Sequence, residues 1–281
     1  MEIIPAHPSD QFLPIPNTRT RTFFIIRDQL DEHALRDALD RLIRRHWRIL
    51  GARIVKDPAR GYEYHLPGTF EDGHKLFEWS SSKVDTTVEE ALPWLEAPTI
   101  DGVSVLPSLE EVDKIFRPAS WPFELKNDPE DGPQLYVHLT FFDNVTVLAI
   151  NTPHVLADQL GTSNLFKAWL GLAAGRDPPP YLHDAIPIDK EYHEYPEEKR
   201  YRKGWTRVRK RFERIQVVLG LIPDFIFWPK EQPGMLFLPE SMIEELRARF
   251  TDELLDKHGE ATKVSRQDVM TAILTKVNSQ T

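Results

Sequence analysis

The spacing of apolar residues changes period within the first fifty positions. Thr22-Phe23-Phe24-Ile25-Ile26 is β-branched and aromatic, the composition of a buried strand. Beyond Asp31 the apolar positions are Leu35, Ala38, Leu39, Leu42 and Ile43, recurring at three and four. Arg36, Asp37, Asp40, Arg41, Arg44 and Arg45 fill the remaining positions, so an amphipathic helix capped by Asp31 is predicted. Gly51 ends the periodicity, and Ala52-Arg53-Ile54-Val55 predicts a further strand. Prolines and turn residues break the pattern from 62 to 133. Within that stretch a short strand is expected at 76–79 and a helix at 88–95.

The middle of the chain is more regular. Residues 134–142 alternate through Leu135, Val137, Leu139 and Phe141, Asp143-Asn144 supplies a two-residue turn, and 145–151 form a second strand. A helix opening at Gly161 carries Leu165, Phe166, Trp169, Leu170, Leu172 and Ala173 until Gly175 stops it. Residues 176–196 are rich in Pro and Asp and predict a linker or crossover. Residues 199–214 concentrate Lys and Arg, and an apolar stretch follows at 215–228, broken by Pro223. The last segment predicts a strand at 235–238, a helix at 239–250 and a final helix. The latter opens on Ser265-Arg266-Gln267-Asp268, a variant of the capping box.

Composition narrows the function classes. The chain has 281 residues with a net charge of −9, and 41% of them are hydrophobic. Such a balance suits a globular protein and argues against a dedicated nucleic-acid binder, whose phosphate contacts need a basic footprint. Cysteine is absent, which excludes disulfides, thiolate metal sites and a cysteine nucleophile. The start, Met1-Glu2-Ile3-Ile4-Pro5, carries neither the basic nor the apolar region of a secretory signal, so a cytoplasmic location is expected. No dinucleotide-binding glycine pattern, P-loop, H-E-x-x-H zinc motif or G-x-S-x-G elbow occurs. No resident metal or cofactor is therefore expected, and histidine chemistry is the enzyme class that remains.

H-x-x-x-D occurs twice. His33 and Asp37 fall within the first amphipathic helix, where an i,i+4 pair is most simply a solvated surface contact. His154 and Asp158 have a different setting: a strand end, Pro153, and a short loop before a helix. A histidine held there can face a cleft. Its neutral imidazole is suited to remove a proton from an alcohol or amine near neutral pH. The activated acceptor would attack a thioester, and Asp158 would brace the loop through an ion pair with an arginine. Spacing and context are equally consistent with a core histidine followed by a helix N-terminal carboxylate.

The segment Asn151-Thr152-Pro153-His154-Val155-Leu156-Ala157-Asp158-Gln159-Leu160-Gly161 resembles the first signature of the BAHD-type, CoA-dependent acyltransferases, especially fungal ones. Residues 30–54, with Trp47-Arg48-Ile49-Leu50-Gly51-Ala52-Arg53-Ile54, are similar to the family's first helix and its exit. Val264-Ser265-Arg266-Gln267-Asp268-Val269-Met270-Thr271-Ala272-Ile273-Leu274 resembles the helix that opens the second domain. The chain departs from the pattern at Gln159, where the family has glycine, and it lacks the second signature, D-F-G-W-G.

This resemblance implies an α/β two-layer sandwich of the chloramphenicol acetyltransferase-like type with an incomplete second domain. Residues 1–175 would be the first domain, 176–233 a crossover, and 234–281 the truncated beginning of the second. The implied function is transfer of an acyl group from acyl-CoA, a co-substrate, to a hydroxyl or amine of a small molecule, in specialised metabolism. His154 would be the general base and Asp158 the structural brace. The competing reading is a non-catalytic remnant or binding protein that keeps the fold. Residues 199–228 carry a secondary expectation of contact with an anionic membrane surface, against the simpler one of a solvated helix. At fourteen residues the apolar part is shorter than the roughly 20 that span a bilayer.

Overall fold

The computed structural model describes residues 1–11, 15–93, 102–106, 109–181, 211–227, 235–259 and 264–278. In chain order the elements are β1 (Glu2–Pro5), β2 (Arg19–Ile26), α1 (Glu32–Arg41), β3 (Arg53–Asp57), β4 (Gly61–Leu66) and β5 (Phe77–Lys83). Then come α2 (Val88–Ala91), β6 (Ser104–Leu106), α3 (Leu109–Phe116), β7 (Leu135–Phe141), β8 (Thr146–Pro153) and α4 (Gln159–Ala173). The remaining elements are α5 (Arg211–Phe227), β9 (Met235–Phe237), α6 (Glu240–His258) and α7 (Arg266–Asn278).

The main sheet has the order β2-β8-β7-β5. β8 pairs antiparallel with both β2 and β7, while β5 joins β7 in parallel at one edge. The short turn expected at Asp143-Asn144 is present and is closed by Phe142 N–H donating to the Val145 carbonyl at 2.9 Å. One face of the sheet presents Leu135, Val137, Leu139, Leu148 and Ile150 to α1 and α4, whose Leu35, Ala38, Leu39, Leu165, Phe166 and Trp169 complete the core. This is a mixed α/β arrangement, as the acyltransferase resemblance implies. Asp31 caps α1 as expected, accepting from Ala34 N–H. Trp169 is fully enclosed, stands edge-on to Trp79 and donates its indole N–H to the Leu35 carbonyl at 2.8 Å, so it fastens α4 to α1.

The opposite face is also covered. Val112 and Phe116 of α3 pack with Val88, Leu92, Phe142, Val145 and Val147. A second sheet, β1-β4-β3, is wholly antiparallel. The proline-interrupted stretch hides β4, β6 and α3 from a periodicity reading, because short strands paired over long distances need no extended local pattern. β9 pairs with β6, so residue 237 lies opposite residue 104. α6 and α7 share a small core of Ile243, Val264 and Val269. The expected cap is formed at α7: Asp268 Oδ2 accepts from Ser265 N–H at 2.8 Å, and Ser265 Oγ accepts from Asp268 N–H at 3.2 Å.

Residues 199–210 of the basic run, and the linker at 182–198, lie outside the described residues. α5 carries most of the apolar stretch that follows, and Phe212, Ile215, Val218, Leu219, Ile226 and Phe227 are exposed on it. Among the described residues no helix is long and apolar enough to cross a membrane. Trp169→Ala is expected to cost about 3–5 kcal/mol of stability, the range for emptying a large aromatic site. Urea unfolding of the two proteins measures it, and Trp169→Phe should lose clearly less.

Candidate active site

β8 delivers His154 to the surface of the core. Arg19 of β2 stands opposite Pro153, and one further rung continues past the strand: His154 N–H donates to the Thr18 carbonyl at 2.8 Å. Leu156 N–H then donates to the Pro153 carbonyl at 3.0 Å, which turns the chain away from the sheet. Asp158 ends the loop in an extended conformation and caps α4, with its Oδ1 accepting from Gly161 N–H at 2.7 Å. The helix thus begins at Gln159, two residues ahead of the glycine where the sequence pattern suggests it. Gly161 permits this close passage: a Cβ there would stand 3.0 Å from the Ala157 Cβ.

The loop is held from a third direction by β4. Tyr64 is buried, and its hydroxyl donates to the Val155 carbonyl at 2.6 Å. Burial pushes the Tyr64 phenol well above its ordinary pKa, with Tyr181 and Asp10 adding to the effect, so the hydroxyl remains a donor throughout the physiological range. The His154 ring is half-buried. Its Nδ1 is fully enclosed and, among the described residues, has no hydrogen-bond partner.

A buried polar cluster underlies the same end of the sheet. Arg19 is enclosed, donates twice to the Gln134 carbonyl at 2.8 and 3.2 Å, and lies over the Tyr136 ring with 4.7 Å to its centroid. Its Nε is 3.4 Å from Asp128 Oδ1. Desolvation pushes the Asp128 carboxyl up to about 6 against the attraction of Arg19, and pushes Arg19 down, so burial outweighs the pairing for both. Gln134 extends the cluster by donating its side-chain amide to the carbonyls of Ile49 and Ala52 at 2.7 and 2.9 Å. That ties the exit of the first helical segment to the start of β7.

The two H-x-x-x-D copies have different surroundings. His33 and Asp37 are both exposed on α1. Asp158 is also exposed, and among the described residues it is a helix cap rather than the partner of an arginine. Tyr64 and Arg19 are the contributors that sequence reasoning missed. Tyr64 lies in the stretch that periodicity leaves unread, and nothing local pairs it with a loop 91 positions away.

No family model matches the chain. It is 28% identical over 288 residues to the acetyltransferase adrJ of Penicillium rubens, covering 96% of this chain and 56% of that protein. It is 27% identical over 260 residues to the O-acyltransferase pboC of Aspergillus ustus, covering 87% of this chain and 53% of the relative. The chain therefore spans about half the length of the curated relatives it matches. Among solved structures, it is similar to Fusarium sporotrichioides TRI101 complexed with coenzyme A and T-2, at 13% identity and a TM-score of 0.44, over 63% of this chain and 42% of that one. Sequence likeness over nearly the whole chain agrees with the BAHD-like resemblance carried by the motifs.

Removing the loop's supports should register as stability. Tyr64→Phe leaves the Val155 carbonyl buried without its donor and is expected to cost about 1–3 kcal/mol. Asp158→Ala should cost about 1 kcal/mol through the lost cap, and Asp158→Asn much less. Urea denaturation followed by circular dichroism distinguishes the three.

Proposed function

We propose that this chain, whose relatives are BAHD-like fungal acyltransferases, carries the general-base half of a CoA-dependent O- or N-acyltransferase acting in specialised metabolism. In that reading residues 1–175 are the first domain, 176–233 the crossover and 234–281 the opening of the second. Acyl-CoA is a co-substrate, and the acceptor is a hydroxyl or amine of a small molecule.

The observation that carries the reading is the way His154 is presented. Backbone bonds to Thr18 and within the turn, the Tyr64 hydroxyl on Val155 and the Asp158 cap hold its loop on three sides, while Nδ1 is enclosed. A base restrained in this manner has one nitrogen to offer. His154 Nε2 takes the proton of the acceptor, whose oxygen or nitrogen attacks the thioester carbonyl. The tetrahedral intermediate collapses and expels the CoA thiolate, which recovers the proton from the imidazolium. No bond between protein and acyl group is formed. Asp158 acts on the loop through its cap and does not touch substrate.

The test is thiol release from acetyl-CoA over a panel of hydroxyl and amine acceptors. His154→Ala is expected to lower the rate about 10²–10⁴-fold, the usual contribution of a general base. Asp158→Asn, which preserves the cap, should keep most of the activity. Equal rates for His154→Ala and the wild type would remove His154 from the mechanism.

A further inference from the structure

A second histidine has a nucleophile in contact with it, and the reaction above leaves it unused. His138 lies on β7, directly opposite Ser80 of the parallel edge strand β5. The ring is buried, yet both of its nitrogens are engaged: Ser80 Oγ is 2.7 Å from Nδ1 and Ser82 Oγ is 3.1 Å from Nε2. The two serines share a face because they are two residues apart on a strand, and that spacing brackets one imidazole. Ser80 is half-buried and Ser82 is exposed.

A neutral imidazole has one proton for two hydroxyl contacts. With the shorter contact read as Ser80 O–H donating to Nδ1, Nε2–H donates to Ser82 Oγ, and the exposed Ser82 hydroxyl can donate onward to water. The arrangement is a nucleophile bonded to a base that a third group orients, the signature of an activated serine. Burial holds the His138 pKa below its ordinary value, opposed by the charge of Glu32, so the ring is neutral near pH 7 and both of its hydroxyl contacts are to an uncharged imidazole.

We propose that Ser80 is an acyl-accepting nucleophile activated by His138, at a site separate from His154, and that its substrates are activated esters and thioesters. Ser80 Oγ attacks the acyl carbonyl as His138 Nδ1 takes the hydroxyl proton. The tetrahedral intermediate breaks its bond to the leaving group, which departs as phenolate or thiolate. The imidazolium then returns its proton to that leaving group or, through Ser82, to water. One acyl ester on Ser80 is the product, so the reaction is a single acylation per chain. It does not depend on the acyltransferase reading of His154.

p-Nitrophenyl acetate is the probe, followed by intact mass and by peptide mapping. Wild-type chain is expected to gain one acetyl group on Ser80 with release of one equivalent of nitrophenolate. Ser80→Ala should not be labelled, and His138→Gln should be labelled about 100-fold more slowly. Ser82→Ala, a change at the exposed end of the relay, should also slow labelling and serves if the buried His138 variant does not fold. Labelling of Ser80 that persists in His154→Ala separates this site from the other. The proposal is overturned if wild-type Ser80 is not acetylated, if the label falls on Ser82 or a lysine instead, or if both relay variants react at the wild-type rate.

Discussion

β8 is buried at every one of its eight positions, and the placement of His154 depends on that burial. A strand enclosed on both faces and both edges has one register and one direction. Shifting it by a residue would exchange Leu148 and Ile150 with Val147, Ala149 and Asn151 between two differently packed layers. Its end is therefore a fixed point in the molecule. The bond from His154 N–H to Thr18 carries this rigidity one residue beyond the sheet, to the first position where a side chain emerges from the core.

That end of the sheet is polar as well as buried, an arrangement that costs free energy unless each group finds a partner. Arg19 meets the requirement in part: its terminal nitrogens donate to the Gln134 carbonyl and its guanidinium lies over the Tyr136 ring, while the buried Nε faces Asp128 Oδ1 at 3.4 Å as an ion pair without hydrogen-bond geometry. The opposed pKa movements of Arg19 and Asp128 indicate that desolvation is only partly offset by their attraction. Such clusters specify geometry more than they add stability. Here the geometry specified is the junction of β2, β7 and β8, immediately beneath the His154 loop. His138 follows the same logic farther along β7, where two serine hydroxyls satisfy a ring that the core would otherwise leave unpaired.

Much of this was legible in the chain. The alternation of Leu135, Val137, Leu139 and Phe141, the turn at Asp143-Asn144, and the helix through Trp169 all appear where periodicity puts them, because each depends on neighbours within a few residues. The cap at Asp31 and the Ser265–Asp268 cap are local in the same sense. For Asp158 the local reading was also informative: a carboxylate three residues before a glycine at a helix start is a cap, and the structure has it as one. The arginine ion pair expected of it required a distant partner, and none is present among the described residues.

Hydrophobic period and capping chemistry, then, were determined by the sequence: which of the regularly patterned segments are strands and which are helices, and that His154 stands between one of each. The tertiary structure decided which nitrogen of His154 is enclosed, which hydroxyl holds its loop, and which serines meet His138. Those contacts join residues 91 and 58 positions apart. The physical reason is the range of the forces. Backbone propensity and caps act over one turn of chain, whereas a buried hydrogen bond is set by the packing of whole layers, and only the folded chain brings its two ends together.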